Sequence, residues 1–141
     1  MLRTLFPFLA LGALAACSEA QTAAVQIEAP RDGTIIHADT VNVTLSATGV
    51  EIVAADGLAT RGRAHQHIFL DVDLTPAGEP IPAGVEGIYH LGTGASAYTI
   101  TELTPGPHRL IAVLALGNHV PLDPWVVDTA YFTVDEPKEE N

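Results

Sequence analysis

The sequence predicts an all-β domain, an immunoglobulin-like β-sandwich of about seven or eight strands. Three observations lead there. Apolar residues recur with a period of two in several short runs, as in half-buried strands. Turn-forming clusters rich in Pro, Asp and Gly separate those runs at the spacing of a sandwich. No segment carries a capped 3.6-residue period.

The elements follow in chain order. Residues 1–16 read as a signal peptide, with a basic start at Leu2-Arg3 and a 12-residue apolar run from Leu5 to Ala16. That run is short of the roughly 20 residues a membrane-spanning helix needs, and it closes on small residues as a signal should. Residues 17–24 form a polar tether, and residues 25–135 the sandwich. Val41, Val43 and Leu45 alternate with Asn42, Thr44 and Ser46. Ile68, Leu70 and Val72 alternate with His67, Phe69 and Asp71. A short strand is expected over Gly87–Leu91, and another where Tyr98 and Ile100 alternate with Thr99 and Thr101. Leu110–Leu116 is apolar on both faces, as a central strand should be. Trp125–Val134 closes the domain, with Trp125 expected in the core because it opens an apolar run. Pro30-Arg31-Asp32-Gly33, Ala55-Asp56-Gly57, Pro76–Gly84 and Pro105-Gly106-Pro107 supply the turns. Residues 136–141 read as a solvated acidic tail.

Leu14-Ala15-Ala16-Cys17 resembles the lipobox that ends a bacterial lipoprotein signal peptide. The resemblance implies that Cys17 is lipidated and becomes the mature N-terminus, so that lipid links the domain to the membrane on its periplasmic side. Ser18 after that cysteine resembles the pattern that sorts enteric lipoproteins to the outer membrane. Cys17 is the only cysteine and Met1 the only methionine. A metal site in the processed domain must therefore use histidine and oxygen donors. The mature chain of 125 residues is long enough for a real core without disulfides. Loss of Arg3 leaves five basic against 17 acidic residues, taking the net charge from −11 to −12. Phosphate backbones repel such a chain, which excludes nucleic acid as a partner.

Histidine carries the remaining chemistry. His65 and His67 stand at i and i+2 on one strand, so both rings project from the same face. Their Cα atoms are about 7 Å apart, near enough for two imidazoles to converge on one cation. Apolar residues hold the opposite parity, which places the pair on the outer face or at the sheet end. A His-x-His pair alone is more often solvated or hydrogen-bonded than metal-bound. His90, near the end of a short strand, and His119, in the loop after Leu110–Leu116, supply the count an imidazole site requires. The four share one pole if the strands of His65 and of Leu110–Leu116 run antiparallel. His108 follows a tight corner and is read as structural, bonding a backbone group of that turn; His37 is read as solvated. Asp71 and Asp73 share the parity of the pair and offer oxygen donors or simply a charged face. Imidazole without thiolate or thioether suits Cu(II) or Zn(II) and excludes a blue-copper site.

From His65 to Val134 the chain resembles the bacterial envelope family called domain of unknown function 4399. The landmarks are Ala64-His65-Gln66-His67-Ile68-Phe69-Leu70-Asp71, Pro80-Ile81-Pro82, Ile88-Tyr89-His90-Leu91-Gly92-Thr93-Gly94, Pro105-Gly106-Pro107-His108-Arg109-Leu110 and Gly117-Asn118-His119-Val120-Pro121-Leu122-Asp123-Pro124. The resemblance implies a periplasmic or lipid-anchored domain and no established activity. Gln66, Ile88 and Leu122 stand where the family commonly has further histidines.

Two functions compete, with an enzyme ranked behind them. One is an envelope domain holding Cu(II) or Zn(II) through His65, His67, His90 and His119. The alternative is a non-catalytic protein-interaction or structural module of the envelope, with Trp125 anchoring a protein partner. No Gly-x-Ser-x-Gly elbow, surviving Cys nucleophile or His-Glu-x-x-His pair marks an enzyme.

Overall fold

Nine strands build two facing sheets in a computed structural model that describes residues 22–135. They are β1 (Ala24–Ala29), β2 (Thr34–Ile36), β3 (Val41–Thr48), β4 (Glu51–Ile52), β5 (Arg63–Leu70), β6 (Ile88–Leu91), β7 (Ala97–Ile100), β8 (Gly106–Ala115) and β9 (Val127–Val134). The signal segment, Cys17, most of the tether and the acidic tail lie outside the described residues.

The smaller sheet has the order β1-β3-β7, and the larger β2-β9-β8-β5-β4, with β6 also on β5. Alternation drives the first. Val41, Val43 and Leu45 of β3 turn inward and are buried, while Asn42 faces solvent. They meet Leu110, Ala112 and Leu114 of β8, Ala64 and Ile68 of β5, and Ala130, Phe132 and Val134 of β9 in the main core. Each large side chain buried there stabilises the fold by about 1.5–3 kcal/mol. Ile27 N–H donates to Asp128 Oδ2 at 2.8 Å, tying β1 of one sheet to β9 of the other.

A second, smaller core explains why β8 is apolar on both faces and β5 is buried on both. Phe69, Ile111, Val113 and Ala115 point away from the first sheet, and Val72, Leu74 and Ile81 from the connection between β5 and β6, with Ile88 of β6, cover them. The outer face of the large sheet is thereby dry at its middle. His65 and His67 share that face and are 0% and 2% exposed. The expectation of an outer face holds, but the rings are not at a solvated surface.

Other differences have local causes. β2 and β4 are only three and two residues long and pair in parallel with β9 and β5, too short for a periodic pattern. β8 begins at Gly106, four residues earlier than the apolar run, because Pro107 lies within the ladder opposite Thr133. β9 begins at Val127, and Trp125 is 43% exposed rather than in the core, since the chain from Pro121 to Val126 crosses between β8 and β9 before the ladder starts. Tyr98 is also partly exposed, tilted against Tyr89 with ring centroids 5.0 Å apart, so only Ile100 of β7 enters the core.

Candidate metal centre

β5 presents His65 and His67 two residues apart on the outer face of the larger sheet. β6 runs antiparallel to it in a register that sets His90 directly opposite His67. β8 flanks the other edge of β5, also antiparallel, with Ala115 opposite His65. The chain then reverses at once. His119 N–H donates to Leu116 O at 2.8 Å, Leu116 N–H donates to Val120 O at 2.9 Å, and Pro121 bridges back to Ala115. That reversal returns His119 to the end of β5, the shared pole that antiparallel strands allow.

The four rings make one cluster. All six ring pairs have centroids 4.7–5.7 Å apart. His65 Nε2 and His67 Nε2 are 2.8 Å apart, and His119 Nε2 and His90 Nε2 are 3.2 Å apart. One potential ligand atom from each histidine lies within 4.8 Å of all the others. A tetrahedral zinc centre with metal–nitrogen bonds of about 2.0 Å has nitrogens about 3.3 Å apart, so shifts of an ångström or less close this set on one ion.

Electrostatics favour the same chemistry. Burial, reinforced by repulsion from His90 and His119, lowers the pKa of His65 to about 4. Burial, reinforced by His65, His90 and His119, lowers that of His67 to about 3. Burial and His119 also lower His90. At neutral pH these three rings therefore offer lone pairs rather than charges. Of the two buried rings, one donates through Nε2 and the other accepts. One Nδ1 then bears a proton and the other a lone pair, and neither has a partner. Each such orphan costs about 1–3 kcal/mol. The donor set fits an imidazole-bound divalent ion.

Gly92, Gly117 and Ile81, which stand in the family landmarks with no role assigned to them, shape the cluster. A Cβ on Gly92 would collide with the His90 imidazole, so that ring occupies the space a side chain there would take. Ile81 N–H donates to the His119 carbonyl at 2.9 Å, joining the outer lid to a candidate ligand. His119 itself takes φ 69°, a left-handed conformation that costs about 1 kcal/mol or more in a non-glycine residue. Gly117 begins the reversal that carries it.

The remaining titratable candidates are engaged elsewhere. His108 Nε2 pairs with Thr104 O at 2.7 Å, the expected turn contact, and its Nδ1 with Asp71 Oδ2 at 2.7 Å. Asp71 also accepts from Arg109 N–H, and Asp73 from the Arg109 guanidinium. Neither carboxylate joins the four rings. His37 is exposed and paired with Asp135 at 2.9 Å.

These features define a class: an immunoglobulin-like sandwich with a four-imidazole cluster on the outer face of its larger sheet. The family model described as "Domain of unknown function (DUF4399)" matches residues 41–135, and the chain belongs to that family. The match takes in all four histidines and reaches upstream of the landmarks, to the start of β3. It indicates no enzyme class. No curated protein matches the sequence. Among solved structures, the chain is similar to the fibronectin(III)-like modules of Clostridium thermocellum CbhA, with 15% identity, TM-score 0.48, and coverage of 81% of this chain and 99% of that one. It is similar also to the PKD domain of human KIAA0319, with 10% identity, TM-score 0.45, and coverage of 94% and 97%.

Proposed function

We propose that the protein is a lipid-anchored module of the cell envelope that holds a divalent transition-metal ion, Cu(II) or Zn(II), through His65, His67, His90 and His119. One observation carries the reading: four imidazoles, two of them buried, converge from three separate chain segments until their donor atoms lie within 4.8 Å of one another. Fold stability alone gives no reason for this, since Phe69 on the same face shows that apolar side chains can fill it. The donor set binds Cu(II) ahead of Zn(II), following the usual affinity order for nitrogen sites. Without thiolate or thioether it has no preference for Cu(I). His65 and His67 would form the fixed floor of the centre, and His90 and His119 its more exposed rim. Such a rim gives an ion a route in and out. Anchoring rests on the lipobox-like Leu14–Cys17 stretch, and the envelope location on that stretch together with the family resemblance.

Calorimetric titration with Cu(II) and Zn(II), beside a His65→Ala/His67→Ala variant, tests the metal reading. One-to-one binding lost in the variant supports it; no uptake, or weak uptake unchanged in the variant, overturns it. The second reading is a protein-interaction module, favoured by the exposed Trp125, Val127 and Tyr131 along β9 and the segment leading into it. An absence of metal uptake would leave that reading in place.

A further inference from the structure

The residues that follow β4 form a strap across the candidate centre. Val53 N–H donates to Ala64 O, Ala55 N–H to Gly92 O and Gly57 N–H to Gly117 O, each at 2.9 Å. The acceptors sit beside the ligands: Ala64 precedes His65, Gly92 underlies the His90 ring, and Gly117 stands two residues before His119. One five-residue stretch thus stitches together all three segments that present the four rings.

Asp56 lies in the middle of that strap. Its Oδ1 accepts from Leu58 N–H at 2.9 Å, a local turn that fixes the carboxylate. The same oxygen is seated against Gly117, where any Cβ would take its place. The side chain is exposed at 37%, and its only cationic neighbour in the described residues is Arg63 at 3.8 Å, which is shared with Glu51. The four-histidine set itself contains no carboxylate. Asp71 and Asp73 are committed to His108 and Arg109.

Resting on the metal reading above, we infer that Asp56 is the outer carboxylate of this centre, a positioning residue whose charge offsets that of the ion and whose strap holds the three ligand-bearing segments in register. Asp56 stands between Ala55 and Gly57, whose N–H groups bond Gly92 and Gly117, so its charge lies beside the segments that carry His90 and His119. Its carboxylate bonds Leu58 N–H and no ring, so it acts through its charge and through the strap; groups just outside a ligand set tune how strongly the ligands bind.

The test is competition titration of the purified protein with Cu(II), and separately with Zn(II), at low and high salt. Asp56→Asn keeps the oxygen that accepts from Leu58 and removes only the charge. Its affinity is expected to fall about tenfold, with the deficit shrinking at ~1 M salt as screening replaces the missing effect. A thermal midpoint of the metal-free variant within about 2 °C of wild type would show that the fold is intact. Asp56→Glu, which keeps the charge, is expected to stay within about threefold of wild type. Equal binding by Asp56→Asn at both salt concentrations would overturn the inference while leaving the metal centre standing. Equal losses in Asp56→Asn and Asp56→Glu would also overturn it, since charge would not be the agent. Wild-type protein that takes up neither ion would overturn the metal reading, and this inference with it.

Discussion

Acidification of the metal-free protein should unfold it through the histidine cluster, by an amount the structure sets. His65 and His67 bind protons only near pH 4 and pH 3 in the folded state, because burial and their neighbours disfavour the charged rings. In the unfolded chain each reverts to an ordinary value of about 6.5. Between those limits the unfolded state binds more protons, so stability falls as pH falls. At pH 5 the unfolded rings are 1.5 units below their midpoint, and at about 1.4 kcal/mol per unit each contributes a loss of about 2 kcal/mol. The pair together costs about 4 kcal/mol between pH 7 and pH 5. That is a large share of the roughly 5–15 kcal/mol that stabilises a typical domain. Urea unfolding at the two pH values, followed by circular dichroism, gives the difference directly. His65→Leu/His67→Leu provides the reference, since it lacks both titrating rings yet fills the same face as Phe69 does. Wild type should lose about 4 kcal/mol more than the variant on going to pH 5. Equal losses in the two proteins would refute the assignment of buried, neutral imidazoles.

Two further substitutions probe the surroundings. Gly92→Ala should fold normally, because the colliding group is the far end of the exposed His90 side chain. It should nevertheless weaken Cu(II) binding by about tenfold or more, as His90 is pushed from its place; unchanged affinity in a titration would remove His90 from the ligand set. Gln66, on the opposite face of β5, is fully buried with neither amide atom paired. Gln66→Met should therefore raise the urea midpoint, by about 1–3 kcal/mol of stability, without altering metal uptake. A loss of stability would mean that the amide is satisfied by a partner.

Much of the fold was legible because it depends on patterns within single strands. The alternation of Val41, Val43 and Leu45 and the two-sided apolarity of Leu110–Leu116 both correspond to observed strands. β2 and β4 were not legible, since strands of three and two residues carry no period and depend on a parallel neighbour elsewhere in the chain. Trp125 misled for a related reason. It resembles the first residue of the apolar strand that follows, but lies on the crossing segment before the ladder and remains partly exposed.

The candidate site divides in the same way. Residue type and spacing identified the His65/His67 pair, and antiparallel pairing with β8 met the condition for a shared pole with His119. Their burial was hidden, because the rings of His90 and His119 that pack on them arrive from a paired strand and a chain reversal elsewhere in the sequence. Ala55-Asp56-Gly57 read only as a turn. Its role as a strap depends on backbone hydrogen bonds to Gly92 and Gly117, and backbone pairing of that kind leaves no mark on side-chain composition.

Electron paramagnetic resonance of the protein loaded with one equivalent of Cu(II) tests the four-imidazole centre most directly, because nitrogen couplings count the bound rings. Coupling to four imidazole nitrogens, reduced in number by His65→Ala/His67→Ala, is the result expected of His65, His67, His90 and His119 acting together. A spectrum of loosely held Cu(II) with oxygen donors, unchanged in that variant, would contradict it.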